Sequence, residues 1–208
     1  MTRIDIWSDL VCPWCYIGKR RFEKALAAFP GRDNVEVVHR AFQLDPTMPK
    51  GRLFRHRDVL MRKYGMSESQ VTAAQSRLET IAAEEGLEYH LAESHTGNTL
   101  DAHRLVHHAV THGIQDAVIE RLYRAHFTEL RSLFDDDSLA TLAAEAGLTD
   151  AREVLAGDEH ADAVVADHQQ ANALGANGVP FFVFDGRYSV SGAQGADVFA
   201  QALSRLVP

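Results

Sequence analysis

Cysteine is scarce in this chain of 208 residues, which has two. That excludes a disulfide-stapled scaffold, and a core must form without one. Positive charge is not in excess either. The formal net charge is -8 and the pI is near 5.7, which argues against a general nucleic-acid or anionic-membrane binder. One local basic run, Lys50 to Lys63, is broken by Asp58 and interleaved with Leu53, Phe54, Val59 and Leu60, and it reads as a solvated helix face. No stretch is apolar enough to cross a bilayer. Repeats, low-complexity runs and flexible linkers are absent. The first residues, Met1-Thr-Arg-Ile-Asp-Ile-Trp, show no secretory apolar region or cleavage site, so a cytoplasmic protein is expected.

What is present is an ordinary globular composition, 46% hydrophobic and 24% charged, with enough apolar residues for one large domain or two small ones. Ile4 to Ser8 alternates and reads as a strand feeding a helix on which Ile17, Phe22, Leu26 and Phe29 share a face. Pro30-Gly31 stops that helix, and Val35 to Phe42 reads as a second strand. A β-α-β opening favours parallel pairing. From about 52 to 175 the pattern is helical. Ser67 to Gln70 forms a capping box, Asn98 to Asp101 caps another helix, and Ser138 to Gly147 is a shorter one. Phe181 to Phe184, Asp185-Gly186, then Arg187 to Ser191 signal a hairpin, and a last helix runs from about Gly195 to Val207. The expected architecture is α/β. One discontinuous domain covers 1–45 and 161–208, and a helical insertion covers 46–160.

Both thiols lie in one segment, Cys12-Pro-Trp-Cys15, at the junction of strand and helix. In a reducing compartment such a pair is a poor structural clamp, which leaves metal or redox chemistry. Structural zinc needs four ligands, and no second such pair exists. Redox chemistry needs nothing more. A helix N-terminus stabilises an anion, so Cys12 is the expected nucleophile, and Pro13 suits a position that needs no backbone donor. Cys15, on the core side, would resolve the mixed disulfide. Pro180 stands directly before a buried strand; by position alone an ordinary trans proline is expected, but resemblance of the element order and the Cys pair to a thioredoxin-like fold implies that it is cis and faces the thiols. The Val179 backbone could then pair with an extended substrate.

These residues resemble the FrnE-like branch of the DsbA-type disulfide oxidoreductases. The resemblance rests on Ser8-Asp-Leu-Val-Cys-Pro-Trp-Cys-Tyr-Ile-Gly18, Asn98-Thr-Leu-Asp-Ala-His-Arg-Leu105, Gly178-Val-Pro-Phe-Phe-Val-Phe184 and Ser191-Gly-Ala-Gln194, and it covers nearly the whole chain. It implies a thioredoxin fold with an inserted helical domain, thiol-disulfide oxidoreductase or isomerase activity, and no bound metal or cofactor. The implied substrate is a disulfide- or thiol-containing protein or small molecule, with glutathione as a candidate redox partner. Nucleic acid and membrane are not expected partners. Oligomeric state stays open, a dimer among the options.

Two departures bear on chemistry. Trp14 stands where secreted DsbA proteins usually carry His, so the pair is expected to be a weaker oxidant. Ile6 stands where they often bury Glu, which leaves Asp9 as the acid that could assist proton transfer at Cys15 or simply cap the helix entry. The same branch resembles kappa-class glutathione transferases and hydroxychromene-carboxylate isomerases. They carry Ser near the position of Cys12, so a glutathione-linked isomerase or transferase is the rival enzyme. A non-catalytic chaperone-like module is the third alternative. Asn98 and His103 are candidates to face the thiols and bind substrate. His103/His107 and His108/His112 have the i, i+4 spacing of bidentate metal binding. With no HExxH motif or nearby Cys to complete either pair, they read as surface or packing histidines, and no metal is expected.

Overall fold

The computed structural model describes residues 1–206, so Val207, the expected end of the last helix, lies outside the described residues. The chain begins with β1 (Thr2–Ser8), whose Ile4 and Ile6 face one side and Asp5 and Trp7 the other. Helix α1 (Pro13–Ala27) starts with proline in its first turn, and β2 (Val35–Ala41) follows. Next come β3 (Phe54–Arg55), α2 (His56–Tyr64) and α3 (Glu68–Glu84). Both halves of the Ser67–Gln70 capping box are formed at the start of α3. Then follow β4 (His95–Thr96), α4 (Leu100–Thr111), α5 (Gln115–Phe127), α6 (Asp136–Glu145), α7 (Ala151–Leu155) and α8 (Ala161–Ala173). The chain closes with β5 (Phe181–Phe184), β6 (Tyr188–Ser191) and α9 (Ala196–Ser204).

Three details differ from the sequence reading. Phe29 lies beyond the end of α1, although it still packs against the same apolar cluster as Phe22. Helix α6 starts before Ser138, because Asp135 is its cap and accepts a hydrogen bond from Ser138 N at 2.8 Å. The paired strands β3 and β4 and the helix α7 are too short to show a hydrophobic period.

The chain divides into two compact units. One is residues 1–44 with the segment from 164 onward, and the other is 45–163. The expected junctions were 45/46 and 160/161. The first unit is built on one four-stranded sheet of order β2-β1-β5-β6. β1 pairs parallel with β2 and antiparallel with β5, and β5–β6 is a hairpin. Its turn residues Asp185 and Gly186 have φ of 53° and 64°, the left-handed values a two-residue turn requires. On one face, Phe22 of α1 packs against Phe182, Phe184 and Phe199, with ring centroids 5.5, 6.4 and 5.7 Å away. On the other, Trp7, Phe42, Phe181 and Val183 pack with Ala171 of α8. Trp7 Nε1 donates to Asp167 O at 2.9 Å.

The second unit is helical. Its buried residues include Leu105, Val118, Leu122, Tyr123, Phe127, Leu139 and Leu142, at the spacings that leave an apolar stripe on each helix. Arg104 is also buried there. Its guanidinium donates to Glu159 O, Val154 O and Gly157 O and to Asp101 Oδ1. One side chain thus satisfies carbonyls in the last turn of α7 and just beyond it.

Candidate active site

β1 ends at Ser8, and a tight turn delivers the chain to α1. Cys12 N donates to Asp9 O at 3.1 Å, and Cys15 N to Cys12 O at 3.0 Å. Cys12 is the N-cap residue with extended backbone, Pro13 opens the helix, and Cys15 falls in its first turn. That geometry sets the two cysteines 3.4 Å apart. Both are free thiols and both are buried, Cys12 at 5% exposure and Cys15 at 2%. Burial pushes the Cys15 thiol well above its ordinary value. The neighbouring Cys12 sulfur adds to that shift through a hydrogen bond and charge, as does the charge of Asp9, while the Asp9 backbone works against it. Trp14, between the two, is 39% exposed.

The second wall comes from the other end of the chain. In the β1–β5 register Trp7 lies opposite Phe181, so the residues before β5 reach the end of β1 where the thiol turn begins. The Val179–Pro180 peptide is cis. The Val179 carbonyl lies 3.7 Å from Cys12 Sγ, which donates to it. Pro180 O accepts from Gly192 N at 2.8 Å, and Arg21 of α1 donates to Ala193 O at 2.8 Å. Gly18 is where α1 meets this loop. A Cβ there would sit 2.9 Å from Pro180 Cγ and 3.4 Å from Ala193 Cβ. The helix carrying the thiols and the proline loop approach closely because position 18 has no side chain.

Comparison with known proteins bears directly on this pair of walls. Residues 3–204 match the family described as DSBA-like thioredoxin domain. The chain belongs to that family. It has a DsbA-like thioredoxin fold and is a member of the DsbA-like thiol-disulfide oxidoreductases. It is similar to a crystal structure described as a probable DsbA oxidoreductase from Streptomyces coelicolor, at 50% identity and a TM-score of 0.95, covering 99% of this chain and 89% of that one. It is 29% identical to the uncharacterized protein YwbO of Bacillus subtilis over 98% of this chain and 96% of that protein. The cytosolic disulfide reductase DsbM of Pseudomonas aeruginosa, solved with GSH, shares the fold at 19% identity and a TM-score of 0.67, with 98% of each chain covered.

Within this DsbA-like site Asp9 is 1% exposed, and its Oδ2 accepts from Leu44 N at 2.7 Å. The carboxylate ties the thiol turn to the chain leaving β2. Asn98 and His103 belong to the other unit. Asn98 Nδ2 donates to Met48 O at 2.6 Å and its Oδ1 accepts from Leu100 N at 2.9 Å, while Thr99 is the N-cap residue of α4. His103 is buried at 2% exposure. Sequence reasoning passed over Gly18, Arg21 and Gly192. Gly18 closes the Ser8 to Gly18 segment and Gly192, with φ of 80°, lies in the Ser191 to Gln194 segment, both marked by resemblance; nothing in the sequence marked Arg21.

Proposed function

We propose that the chain catalyses thiol-disulfide exchange through Cys12 and Cys15, as a member of the FrnE-like branch working in the cytoplasm. The observation that carries this is the pair of free thiols 3.4 Å apart at the head of α1, with the Val179 carbonyl 3.7 Å from Cys12 Sγ. Cys12 thiolate attacks a substrate disulfide, forming a Cys12–substrate mixed disulfide and expelling one substrate sulfur as thiolate. Cys15 then gives up its proton and attacks Cys12 Sγ. A Cys12–Cys15 disulfide forms, the second substrate sulfur leaves as thiolate, and two electrons have passed to the substrate. The raised pKa of Cys15 keeps that thiol protonated while Cys12 reacts first. Asp9, buried beside this pair, is the candidate whose carboxylate takes the Cys15 proton.

The Val179 backbone and Pro180 are the platform for an extended substrate segment, a protein or a small disulfide. Trp14 supplies only an indole N–H where a histidine could carry charge, so the pair is a weaker oxidant than secreted DsbA proteins, and a reducing cytoplasm favours reduction or isomerisation over net oxidation. A redox titration placing its potential at or above theirs refutes that direction. Glutathione is the proposed reductant that returns the pair to dithiol, a reading supported by the fold relative solved with GSH. The deciding experiment is insulin reduction beside scrambled-ribonuclease reactivation, on the wild type, Cys12→Ser and Cys15→Ser. The wild type is expected to be active. Cys12→Ser is expected to be inactive, and Cys15→Ser to accumulate mixed disulfide. An intact dithiol protein inert in both assays would sink the proposal.

A further inference from the structure

The helical unit gathers a second cluster of reactive side chains unrelated to sulfur. His108 and His112 lie one turn apart on α4, and Asp150, the residue before α7, faces both. His108 Nε2 is 2.8 Å and His112 Nε2 3.2 Å from the same oxygen, Asp150 Oδ2. These donor atoms all lie within 4.8 Å of one another. On the far side of the His108 ring, Nδ1 is 3.2 Å from His160 Nε2 and 3.9 Å from Glu159 Oε1. His160 Nε2 is in turn 3.2 Å from Glu159 Oε1. His112 and Asp150 are open to solvent, with side chains 41% and 34% exposed, so an ion can enter without unfolding.

We propose that His108 Nε2, His112 Nε2 and Asp150 Oδ2 bind a divalent transition-metal ion, zinc being the best match, with solvent completing the shell. Two imidazoles at i, i+4 on one helix and a carboxylate from elsewhere make a donor set that suits four-coordinate zinc. In a tetrahedral site with bonds of about 2.0–2.1 Å the donors sit roughly 3.4 Å apart. The two N–O separations, 2.8 and 3.2 Å, need to open by only a few tenths of an ångström, and the two imidazole nitrogens lie within 4.8 Å of each other. The outer contacts also fit. A ligating histidine normally donates its other ring N–H to a fixed acceptor, and His108 Nδ1 has His160 Nε2 in that position. That tautomer leaves the Nε2 lone pair aimed at the ion. Asp150 Oδ1 is buried with no hydrogen-bond partner among the described residues, so this carboxylate is under-used as a purely structural acceptor. Binding would join α4 to the start of α7 and stabilise the helical unit by mass action.

The thiol pair can itself take zinc, so the test uses the full chain carrying Cys12→Ser and Cys15→Ser. Zinc titration by calorimetry is followed by cobalt as a spectroscopic substitute. Uptake of one equivalent is expected, together with a rise in the melting temperature. In that background His112→Ala and Asp150→Asn should weaken binding by at least about 10-fold, and His160→Ala by about 10-fold without abolishing it. His112 is exposed, so its replacement leaves the fold intact, which circular dichroism verifies. No uptake by the thiol-free protein overturns the proposal. So does uptake unchanged by both His112→Ala and Asp150→Asn, or uptake lost with His160→Ala alone, which would move the ion to His108, Glu159 and His160.

Discussion

In the unit formed by residues 1–44 and 164 onward, cohesion comes from rings on a sheet. Phe22, Phe182, Phe184 and Phe199 cover one face, and Trp7, Phe42 and Phe181 cover the other. In the unit 45–163 buried alanines such as Ala102, Ala109, Ala125 and Ala143 are interspersed with Leu105, Leu122, Tyr123, Phe127 and Leu142, and charged forks add polar ties. Arg104 satisfies carbonyls at the end of α7 and just beyond it. Arg121 donates to Glu145 at 2.7 Å and to Glu129 at 2.6 Å, and Arg131 to Glu145 at 2.9 Å. A flat sheet offers a broad surface that large rings fill on both faces, whereas these helices pack through a mixture of leucines, alanines and a few rings such as Tyr123 and Phe127, with centroids 6.1 Å apart, and add polar contacts at their ends. The first unit should therefore be sensitive to lost ring volume, the second also to lost hydrogen-bond geometry. Both tryptophans, Trp7 and Trp14, lie in the first unit, so fluorescence follows it, and far-UV circular dichroism is weighted toward the helical one.

The largest effect that would sharpen this contrast is Phe22→Ala. It should cost about 3–5 kcal/mol in a urea transition followed by fluorescence, with Phe22→Leu much milder. A cost under about 1 kcal/mol would break the claim that rings dominate the first unit. In the second unit Arg104→Lys keeps the charge but loses the fork, stranding buried carbonyls. A loss of about 2 kcal/mol is expected by circular dichroism, and a neutral result would show that charge alone suffices. Gly18→Ala tests the close approach of α1 to Pro180. About 1 kcal/mol of destabilisation is expected, with a slower insulin-reduction rate, because the added methyl displaces the proline loop beside Cys12. Unchanged rates would remove that contact from the site.

The smallest effects concern pH and point in opposite directions. The Cys15 pKa is raised in the folded dithiol protein, so its stabilising contribution is complete below the ordinary thiol range and is lost as pH rises through the raised value. Cys15→Ala should flatten that alkaline loss in the fluorescence transition. For Asp101, burial works the other way, but the hydrogen bonds from Lys50 and Arg104 outweigh it and hold the carboxyl below its usual value. Its contribution is present above the ordinary carboxylate pKa and is lost as pH falls through the lowered one. Asp101→Asn should flatten the acid loss read by circular dichroism. An acid loss that persists undiminished in Asp101→Asn assigns it to other carboxylates.

Much of this was legible before any coordinates. The alternation of Ile4 and Ile6, the Asp185-Gly186 turn and the Ser67–Gln70 box are signals within a few residues, and each forms where its pattern indicated. Asp9 was singled out, but its bond to Leu44 N was not foreseeable, because that partner is set by how β2 leaves the sheet. The His108/His112 pair was visible as a spacing. Its carboxylate was not, since Asp150 meets α4 only after two intervening helices have packed.

The sequence by itself determined that both thiols start one helix, that a hairpin closes the sheet, and that no other cysteine competes with them. Local backbone hydrogen bonding and turn stereochemistry decide such features. Only the tertiary structure decided that the Val179 carbonyl stands beside Cys12 and that position 18 must be bare against Pro180. These depend on the register of β1 with β5, a pairing between residues far apart in the chain. It is fixed by the rings those strands bury together, not by any pattern within either segment.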